Sequence, residues 1–289
     1  MEHLPEKYNI ELEEGIERRV KVIANNCHQL ITDDSLKQVF KCLDLTSLNT
    51  NDTKNSISSI VEKLNGLKHH YPEIPSVAAV CFYPPFVEVA KDEIEDKNIF
   101  VASVGANFPS SQTFLNVKKT ECKEIINRGA DEVDIVIPVH EFLAGNYDVV
   151  FNEVKELKEV VGNKKLKVIL ETGMLNDYKN IQLASLIAME AGADFIKTST
   201  GKEKPAATFD AVYIMAKSAR AFYEKTGKMI GIKPAGGIST LEAAFGYYAI
   251  IKEILGEQWL NSSLFRIGAS RLANELICAF YQDESISYF

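Results

Sequence analysis

Two lysines and one aspartate lie in short, otherwise apolar runs of the sequence. Lys197 belongs to FIKTST, Lys233 to GIKPAG and Asp134 to EVDIVIP. A lysine that is close to a second cation and partly removed from water loses its proton more readily, and the free amine attacks carbonyl carbon. We therefore predict that Lys197 and Lys233 form a reactive pair, with Asp134 as an acidic residue in a similar segment. The alternative is that each lysine only forms a structural ion pair with an acidic neighbour.

The residues around these charges alternate between apolar and polar, as in β-strands. Ile196 and Ile232 occupy the apolar phase beside Lys197 and Lys233, so the two lysines point to the opposite face. In a barrel of parallel strands the apolar phase packs outward against helices, and the other phase points inward. The same alternation turns six ionisable residues inward: Asp44, Asp134, Glu171, Lys197, Lys233 and Arg266. Half of them are acidic and half basic, so charge alone leaves both a catalytic and a structural interpretation open.

Two glycine-containing segments follow these charged runs. The first contains Gly236 and Gly237, and the second contains Gly268 and Ser270. Backbone N–H groups of such loops, together with the start of the next helix, bind phosphate in many barrel enzymes. A pair of glycines is also common in ordinary turns. These loops, however, follow the last two strand-like segments of the chain, where barrel enzymes often bind phosphate, and this position favours a phosphate site.

Eight short β-branched segments recur along the chain and are candidate strands. Between Asp44 in the first and Gly268 in the last lie seven intervals of about 32 residues, close to the roughly 30 residues of a strand plus a return helix. Amphipathic segments that fit helices lie between them. The eight segments are Phe40–Thr46, Val77–Tyr83, Ile99–Ala106, Glu132–Pro138, Lys167–Thr172, Asp194–Ser199, Met229–Lys233 and Leu264–Gly268.

This repetition predicts the α/β class and one (β/α)8 TIM barrel rather than two domains. We expect residues 1–38 to form a mostly helical N-terminal extension, residues 39–280 to form the barrel, and residues 281–289 to form a C-terminal tail. In this fold the C-terminal ends of the strands surround one mouth, where barrel enzymes carry out their chemistry. The inward charges and both glycine loops would therefore meet there.

The composition argues against several classes of partner. The 289 residues carry a net charge of −8, which disfavours a broad nucleic-acid surface. No apolar stretch is long enough to span a membrane, and the N-terminus lacks the pattern of a secretory signal. Five cysteines without a C-x-x-C pair fit reduced thiols, and the five histidines form no zinc-binding pattern. We expect a cytoplasmic protein with no metal and no cofactor.

Five segments resemble the deoxyribose-phosphate aldolase family, whose members are class I aldolases built on a (β/α)8 barrel. They are LDLTSLN (43–49), DEVDIVIP (131–138), DFIKTSTGK (194–202), GIKPAGGI (231–238) and FRIGAS (265–270). The resemblance runs in order from about residue 39 to residue 280. It implies the reversible cleavage of 2-deoxy-D-ribose 5-phosphate to acetaldehyde and D-glyceraldehyde 3-phosphate. The implied intermediates are a lysine Schiff base and an enamine, and the implied role is deoxyribonucleoside catabolism.

The resemblance also implies roles for individual residues. Lys197 matches the lysine that forms the Schiff base, Lys233 the second lysine that perturbs it, and Asp134 the carboxylate that shuttles protons. The resemblance implies substrate contacts for Asp44, Thr46, Gly201, Lys202, Gly236, Gly237 and Ser270. We add Glu171, because it is in the inward phase of its strand, and Gly268, because it belongs to the second glycine loop. Many members have a second serine where this chain has Arg271, which either supplies charge to the phosphate or faces solvent.

Other functions remain open at this point. Another Schiff-base aldolase or a transaldolase acting on a different sugar phosphate would share the lysine, the barrel and the phosphate loops. A non-catalytic sugar-phosphate-binding barrel would share the fold, and a metal-dependent class II aldolase would need a histidine cluster that the sequence lacks. The expected partners are a phosphorylated sugar and acetaldehyde, with no nucleic acid and no membrane. A homodimer and a higher homo-oligomer both remain open.

Overall fold

The computed structural model describes residues 1–289 and contains eight short β-strands that form one sheet. Each of the strand pairs in this sheet is parallel. The strands are β1 Leu43–Thr46, β2 Ala79–Phe82, β3 Phe100–Val104, β4 Glu132–Val136, β5 Lys165–Ile169, β6 Phe195–Lys197, β7 Gly231–Lys233 and β8 Ile267–Ala269.

The sheet closes on itself to form a barrel. The hydrogen-bonded order of the strands is β7-β6-β5-β4-β3-β2-β1-β8, and backbone hydrogen bonds join the two ends. The amide of Ile232 donates to the carbonyl oxygen of Leu264 at 2.9 Å, and the amide of Arg266 donates to the carbonyl oxygen of Ile232 at 3.1 Å. This closed, parallel, eight-stranded barrel confirms the prediction of a TIM barrel.

A helix follows every strand, and three helices precede β1. The short α7 is an additional turn between β4 and α8. None of the helices combines the length and the apolar character that a membrane span requires. The helices are α1 Leu4–Lys7, α2 Ile16–Asn25, α3 Asp33–Lys41, α4 Lys54–His70, α5 Val87–Glu93, α6 Leu115–Asn127, α7 Val139–Leu143, α8 Tyr147–Val161, α9 Tyr178–Glu190, α10 Phe209–Thr226, α11 Leu241–Leu255 and α12 Leu272–Tyr281.

Polar side chains fix the start of four barrel helices. Thr53, Asp177, Thr208 and Thr240 each accept a hydrogen bond from the backbone amide three residues later, at the starts of α4, α9, α10 and α11. Each cap satisfies an N–H group that the first turn of a helix leaves without a partner. The helix starts lie at the C-terminal ends of the strands, so the caps fix the loops around the predicted site.

The outward face of the strands packs against the helices in one large apolar core. Ile135, Ile196 and Ile232 belong to this core and are fully buried. Their position agrees with the outward phase that the alternation assigns to them. The charged residues between them therefore point into the barrel, as the sequence predicts.

Every predicted segment overlaps its strand, but none has the observed bounds, and the first, fifth and eighth differ most, by three residues at one end. The eighth strand begins at Ile267 rather than at Leu264. The first strand begins at Leu43, because Phe40 and Lys41 still belong to α3. The fifth strand runs from Lys165 to Ile169 rather than from 167 to 172. Glu171 has a left-handed backbone with φ of 54°, which is incompatible with the extended conformation of a strand. Glu171 therefore lies beyond β5, not on its inward face.

The segment before β1 packs against the outer helices. α1 lies on α9, and α2 lies on α10 and α11. The ring of Tyr8 stacks on Phe222 at 5.5 Å between centroids, and its hydroxyl donates to Glu190 at 2.6 Å. The boundary that we predict between residues 38 and 39 falls inside α3, which leads directly into β1.

The last residues of the chain are attached to α12 and α4. The side-chain oxygen of Asn274 accepts hydrogen bonds from the amides of Tyr288 at 3.0 Å and Phe289 at 2.9 Å. The hydroxyl of Tyr288 donates to the carbonyl oxygen of Lys63 at 2.6 Å. These bonds hold the C-terminal tail against the barrel.

Candidate active site

One carboxylate oxygen of Asp134 joins Lys197 and Lys233. Its Oδ2 lies 2.7 Å from Nζ of Lys197 and 2.8 Å from Nζ of Lys233. The two lysines are register partners on the adjacent strands β6 and β7, so their side chains start at the same height in the barrel. Asp134 and Lys233 have fully buried side chains, and that of Lys197 is 3% exposed. The structure thus brings the three residues predicted to be catalytic into direct contact.

A second carboxylate makes the two lysines different. Oδ2 of Asp44 lies 2.6 Å from Nζ of Lys233, and Asp44 forms no ion pair with Lys197. Burial opposes the charged form of Lys233, but Asp134 and Asp44 outweigh it and raise the pKa of Lys233. Burial lowers the pKa of Lys197, and the charge of Lys233 adds to this decrease against the opposing effect of Asp134. Lys233 is therefore the ammonium ion, and Lys197 is the lysine that loses its proton more readily.

Three more charged side chains lie on the N-terminal side of this group. Nζ of Lys167 lies 2.9 Å from Oδ1 of Asp134 and 2.5 Å from Oε2 of Glu132. The guanidinium of Arg266 lies 2.9 Å from Glu132 and 2.5 Å from Asp44. Glu132, Lys167 and Arg266 are all buried. A continuous ionic network therefore fills the barrel interior beside the candidate active site.

Glu132 and Lys167 are not among the site residues that the sequence predicts. Both are in the inward phase of their strands, since Glu132 precedes Asp134 by two residues and Lys167 pairs with Asp134 across β4 and β5. The same alternation points to both residues. Each is the first residue of a predicted strand segment. Charged residues are common at strand ends, so the alternation alone does not mark these two as part of a site.

The side chains of the network do not balance in charge when all are ionised. Burying a charge without a compensating partner is costly. Four basic and three acidic side chains face one another: Lys167, Lys197, Lys233, Arg266, Asp44, Glu132 and Asp134. A neutral Lys197 restores the balance, and its pKa is the one that is lowered. Despite burial, Asp134 and Glu132 raise the pKa of Lys167. The network therefore favours a free amine at Lys197, the form that attacks a carbonyl.

A cavity of about 370 Å³ opens at the C-terminal ends of the strands, and Lys197 lies on its wall. Eight of the predicted site residues line it: Thr46, Lys197, Gly201, Lys202, Gly236, Gly237, Gly268 and Ser270. Arg271, which follows Ser270, lines it too. Asp134 and Lys233 lie behind Lys197, and Asp44 lies behind Lys233, all of them fully buried. Arg266 points inward as predicted but is bound to Asp44 and Glu132, away from the cavity.

The loop after β7 presents unpaired backbone N–H groups on the cavity wall. The amides of Gly236, Gly237 and Ile238 have no hydrogen-bond acceptor in the protein. Gly236 has φ of +95°, and a Cβ there would lie 2.7 Å from Cβ of Ala206 and 3.1 Å from Cα of Gly201. Only glycine therefore lets the loops after β6 and β7 pack this closely. Free amides beside the start of a helix are the donors that bind phosphate oxygens.

Side chains hold the loop after β6 against its neighbours. The hydroxyl and the amide of Thr200 donate to the carboxylate of Glu171 at 2.6 and 3.1 Å. Nζ of Lys202 donates to the carbonyl oxygen of Leu48 at 2.5 Å, in the loop after β1. Glu171, for which the sequence predicts a substrate contact, is bound to this loop and does not line the cavity. Burial raises the pKa of Glu171, against the hydrogen bonds from Thr200.

Comparison with known proteins gives the family of this chain. The sequence profile described as DeoC/LacD family aldolase matches residues 38–247. Deoxyribose-phosphate aldolase from Homo sapiens is 40% identical over 245 residues, which cover 81% of this chain and 77% of the human protein. The solved structure of QR15, an aldolase, is 31% identical with a TM-score of 0.67, and the match covers 83% of this chain and 94% of QR15. Deoxyribose phosphate aldolase from Aeropyrum pernix, which is tetrameric, shares the fold at 23% identity and a TM-score of 0.68, over 89% of this chain and 96% of that one.

The closed parallel barrel, with a cavity at the C-terminal ends of its strands, defines a TIM-barrel enzyme. The chain belongs to the DeoC/LacD family of aldolases. It is therefore a lyase, and the family resemblance that its sequence motifs predict is confirmed.

Proposed function

We propose that this aldolase reversibly cleaves 2-deoxy-D-ribose 5-phosphate to acetaldehyde and D-glyceraldehyde 3-phosphate, in deoxyribonucleoside catabolism. One observation carries the proposal: Lys197 and Lys233 contact the same oxygen of Asp134, at 2.7 and 2.8 Å, and Lys197 lies on the wall of a cavity that the two glycine loops also line. The 40% identity to the human deoxyribose-phosphate aldolase supports this choice of substrate.

The reaction begins with the free amine of Lys197. Its nitrogen attacks C1 of the open-chain sugar aldehyde and forms a carbon–nitrogen bond. The former carbonyl oxygen takes up protons and leaves as water, which gives a protonated Schiff base. Lys233 is the proposed donor of one of these protons, because Asp134 and Asp44 keep it in the charged form. The positive Schiff base then withdraws electrons from the bond between C2 and C3.

Asp134 is the proposed carrier of protons during bond cleavage. The lysines around it hold its pKa well below the usual range, although burial opposes this, so it is an ionised acceptor. The hydroxyl on C3 gives its proton to Asp134 by way of a water molecule, the C2–C3 bond breaks, and C3 becomes the aldehyde of D-glyceraldehyde 3-phosphate. The electron pair of the broken bond forms the enamine. The proton then returns from Asp134 to C2, which gives the Schiff base of acetaldehyde. Water adds to C1 of this Schiff base and the carbon–nitrogen bond breaks. Acetaldehyde is released, Lys197 is again a free amine, and the remaining proton returns to Lys233.

The glycine loops are the proposed site of the 5-phosphate. The free amides of Gly236 and Gly237 and the side chains of Lys202 and Ser270 line one cavity with Lys197. Charge-assisted hydrogen bonds of this kind contribute about 1.5–3 kcal/mol each. The phosphate would therefore supply much of the binding energy and hold C1 of the sugar toward the amine. Asp44 and Glu171, which lie behind the cavity wall, support the site in this proposal rather than touch the sugar.

A product assay over several substrates tests the proposal. The protein is incubated with 2-deoxy-D-ribose 5-phosphate, and acetaldehyde and D-glyceraldehyde 3-phosphate are quantified against 2-deoxy-D-ribose and a set of other sugar phosphates. We expect equal amounts of the two products and the highest kcat/KM for 2-deoxy-D-ribose 5-phosphate. Cleavage of a different sugar phosphate, with none of this one, would favour another Schiff-base aldolase or a transaldolase. Binding without cleavage of any of them would contradict the proposal.

Two further expectations stay predictions. A cytoplasmic location is supported by the five cysteines, which are all free thiols. Self-association as a homodimer or a higher homo-oligomer would be measured by light scattering of the purified chain.

A further inference from the structure

Arg271 is an arginine on the cavity wall whose side chain has no protein partner. The chain contains six arginines, and four of them form ion pairs with carboxylates: Arg19, Arg128, Arg220 and Arg266. Arg18 and Arg271 are exposed and form none. Arg18 lies on α2, whereas Arg271 lies beside Ser270 on the wall of the cavity. A free guanidinium at this place is available to a ligand.

The position of Arg271 in the fold supports this interpretation. It immediately precedes α12, and its side chain does not cap the helix. The first-turn amides of a helix lack acceptors within the helix, so the guanidinium stands next to further N–H donors. Lys202, the cation contributed to the wall by the loop after β6, already donates to the carbonyl oxygen of Leu48. The N–H groups of Arg271 have no such competitor within the protein.

We propose that Arg271 binds the phosphate of the substrate and so determines specificity for phosphorylated over unphosphorylated sugars. The inference rests on the proposed function, which supplies a sugar phosphate to this cavity. Arg271 approaches from the β8 side, and the free amides of Gly236 and Gly237 approach from the β7 side. A guanidinium offers a planar fork of N–H donors that matches two phosphate oxygens. Arg271 therefore completes a site that the glycine loops begin.

The substitution Arg271→Ser tests this role, with Arg18→Ser as a matched control that also removes an exposed, unpaired arginine. For 2-deoxy-D-ribose 5-phosphate we expect kcat/KM of the Arg271→Ser variant to fall roughly tenfold or more, through KM with little change in kcat. For unphosphorylated 2-deoxy-D-ribose we expect no change, and Arg18→Ser should match the wild type on both sugars. An unchanged kcat/KM for the phosphorylated sugar would overturn the inference. An equal loss on both sugars would also overturn it, because a structural defect would have that effect.

Titration calorimetry with inorganic phosphate separates this inference from the proposed function. If the wild type binds phosphate and Arg271→Ser binds it at least tenfold more weakly, the role of Arg271 stands even for an enzyme that cleaves another sugar phosphate. If both proteins bind phosphate equally, the role of Arg271 is wrong even where cleavage of 2-deoxy-D-ribose 5-phosphate is observed.

Discussion

Lys197 and Lys233 stand opposite each other on adjacent strands and contact the same oxygen of Asp134, yet their pKa values move in opposite directions. The difference comes from Asp44, which lies 2.6 Å from Lys233 and forms an ion pair with Lys233 but not with Lys197. Burial and the neighbouring charge of Lys233 lower the pKa of Lys197. The position of one carboxylate thus assigns the nucleophile to Lys197 and the cation to Lys233.

The substitution Lys233→Leu should raise the pKa of Lys197, because it removes the like charge that helps to lower it. The free-amine fraction of Lys197 at neutral pH then falls, so the rate should drop there and recover partly as the pH is raised toward about 10. The measurement is the pH–rate profile for 2-deoxy-D-ribose 5-phosphate cleavage. Lys228→Leu, at an exposed lysine, is the control and should keep the wild-type profile. A Lys233→Leu variant with the wild-type profile would contradict the role of this charge.

The substitution Asp134→Asn should affect a different step. It removes a proton acceptor but leaves both lysines in place, so the Schiff base should still form, although slowly. Exchange of the acetaldehyde methyl protons with solvent deuterium requires the enamine, and it should fall by roughly 10²–10⁴. Proton NMR in D₂O measures this exchange, and borohydride trapping in the same variant shows whether the amine still reacts. Exchange at the wild-type rate would leave only a structural role for Asp134.

Lys167 should matter chiefly for stability. It is buried between Asp134 and Glu132, so Lys167→Met leaves buried carboxylates with fewer cations and should lower the free energy of unfolding by roughly 3–5 kcal/mol. Lys91→Met is the control, because Lys91 forms a partly exposed pair with Asp131 and its loss should cost less than about 1 kcal/mol. Urea unfolding at neutral pH measures both changes.

The double variant Lys167→Met, Glu132→Gln provides a second check on the network. It removes one positive and one negative charge together, so part of the lost stability should return. Equal losses in the single variant, the double variant and Lys91→Met would show that the buried network does not respond to its charge balance.

The repetition of strand-like segments about every 32 residues is sufficient to predict the barrel, and the alternation of apolar and charged residues predicts the inward direction of Lys197, Lys233 and Asp134. Each has β-branched neighbours that bury against helices, so the pattern of period 2 appears within a few residues of sequence. Glu132 and Lys167 follow the same rule, although each stands at the edge of a predicted segment. The direction of a side chain on a strand is thus a local property of the sequence.

The partners of these side chains could not be predicted in the same way. Asp44 lies on β1 and reaches Lys233 on β7, with β8 between them, so their contact depends on the register of strands far apart in sequence. Glu171 does not lie on β5 because this strand ends at Ile169, three residues before the predicted end at Thr172, and the backbone of Glu171 is left-handed. The contacts across the barrel depend on tertiary structure, and so do the positions at which strands end. The direction of a side chain on a strand depends only on the local alternation.

Borohydride trapping with acetaldehyde tests the central claim most directly. The protein is incubated with acetaldehyde, reduced with borohydride and digested, and the modified peptide is identified by mass spectrometry. We expect a two-carbon adduct on Lys197, and we expect Lys197→Ala to lose both the adduct and turnover, because no other lysine in the network has a lowered pKa. An adduct on Lys233 with Lys197 unmodified would contradict this account.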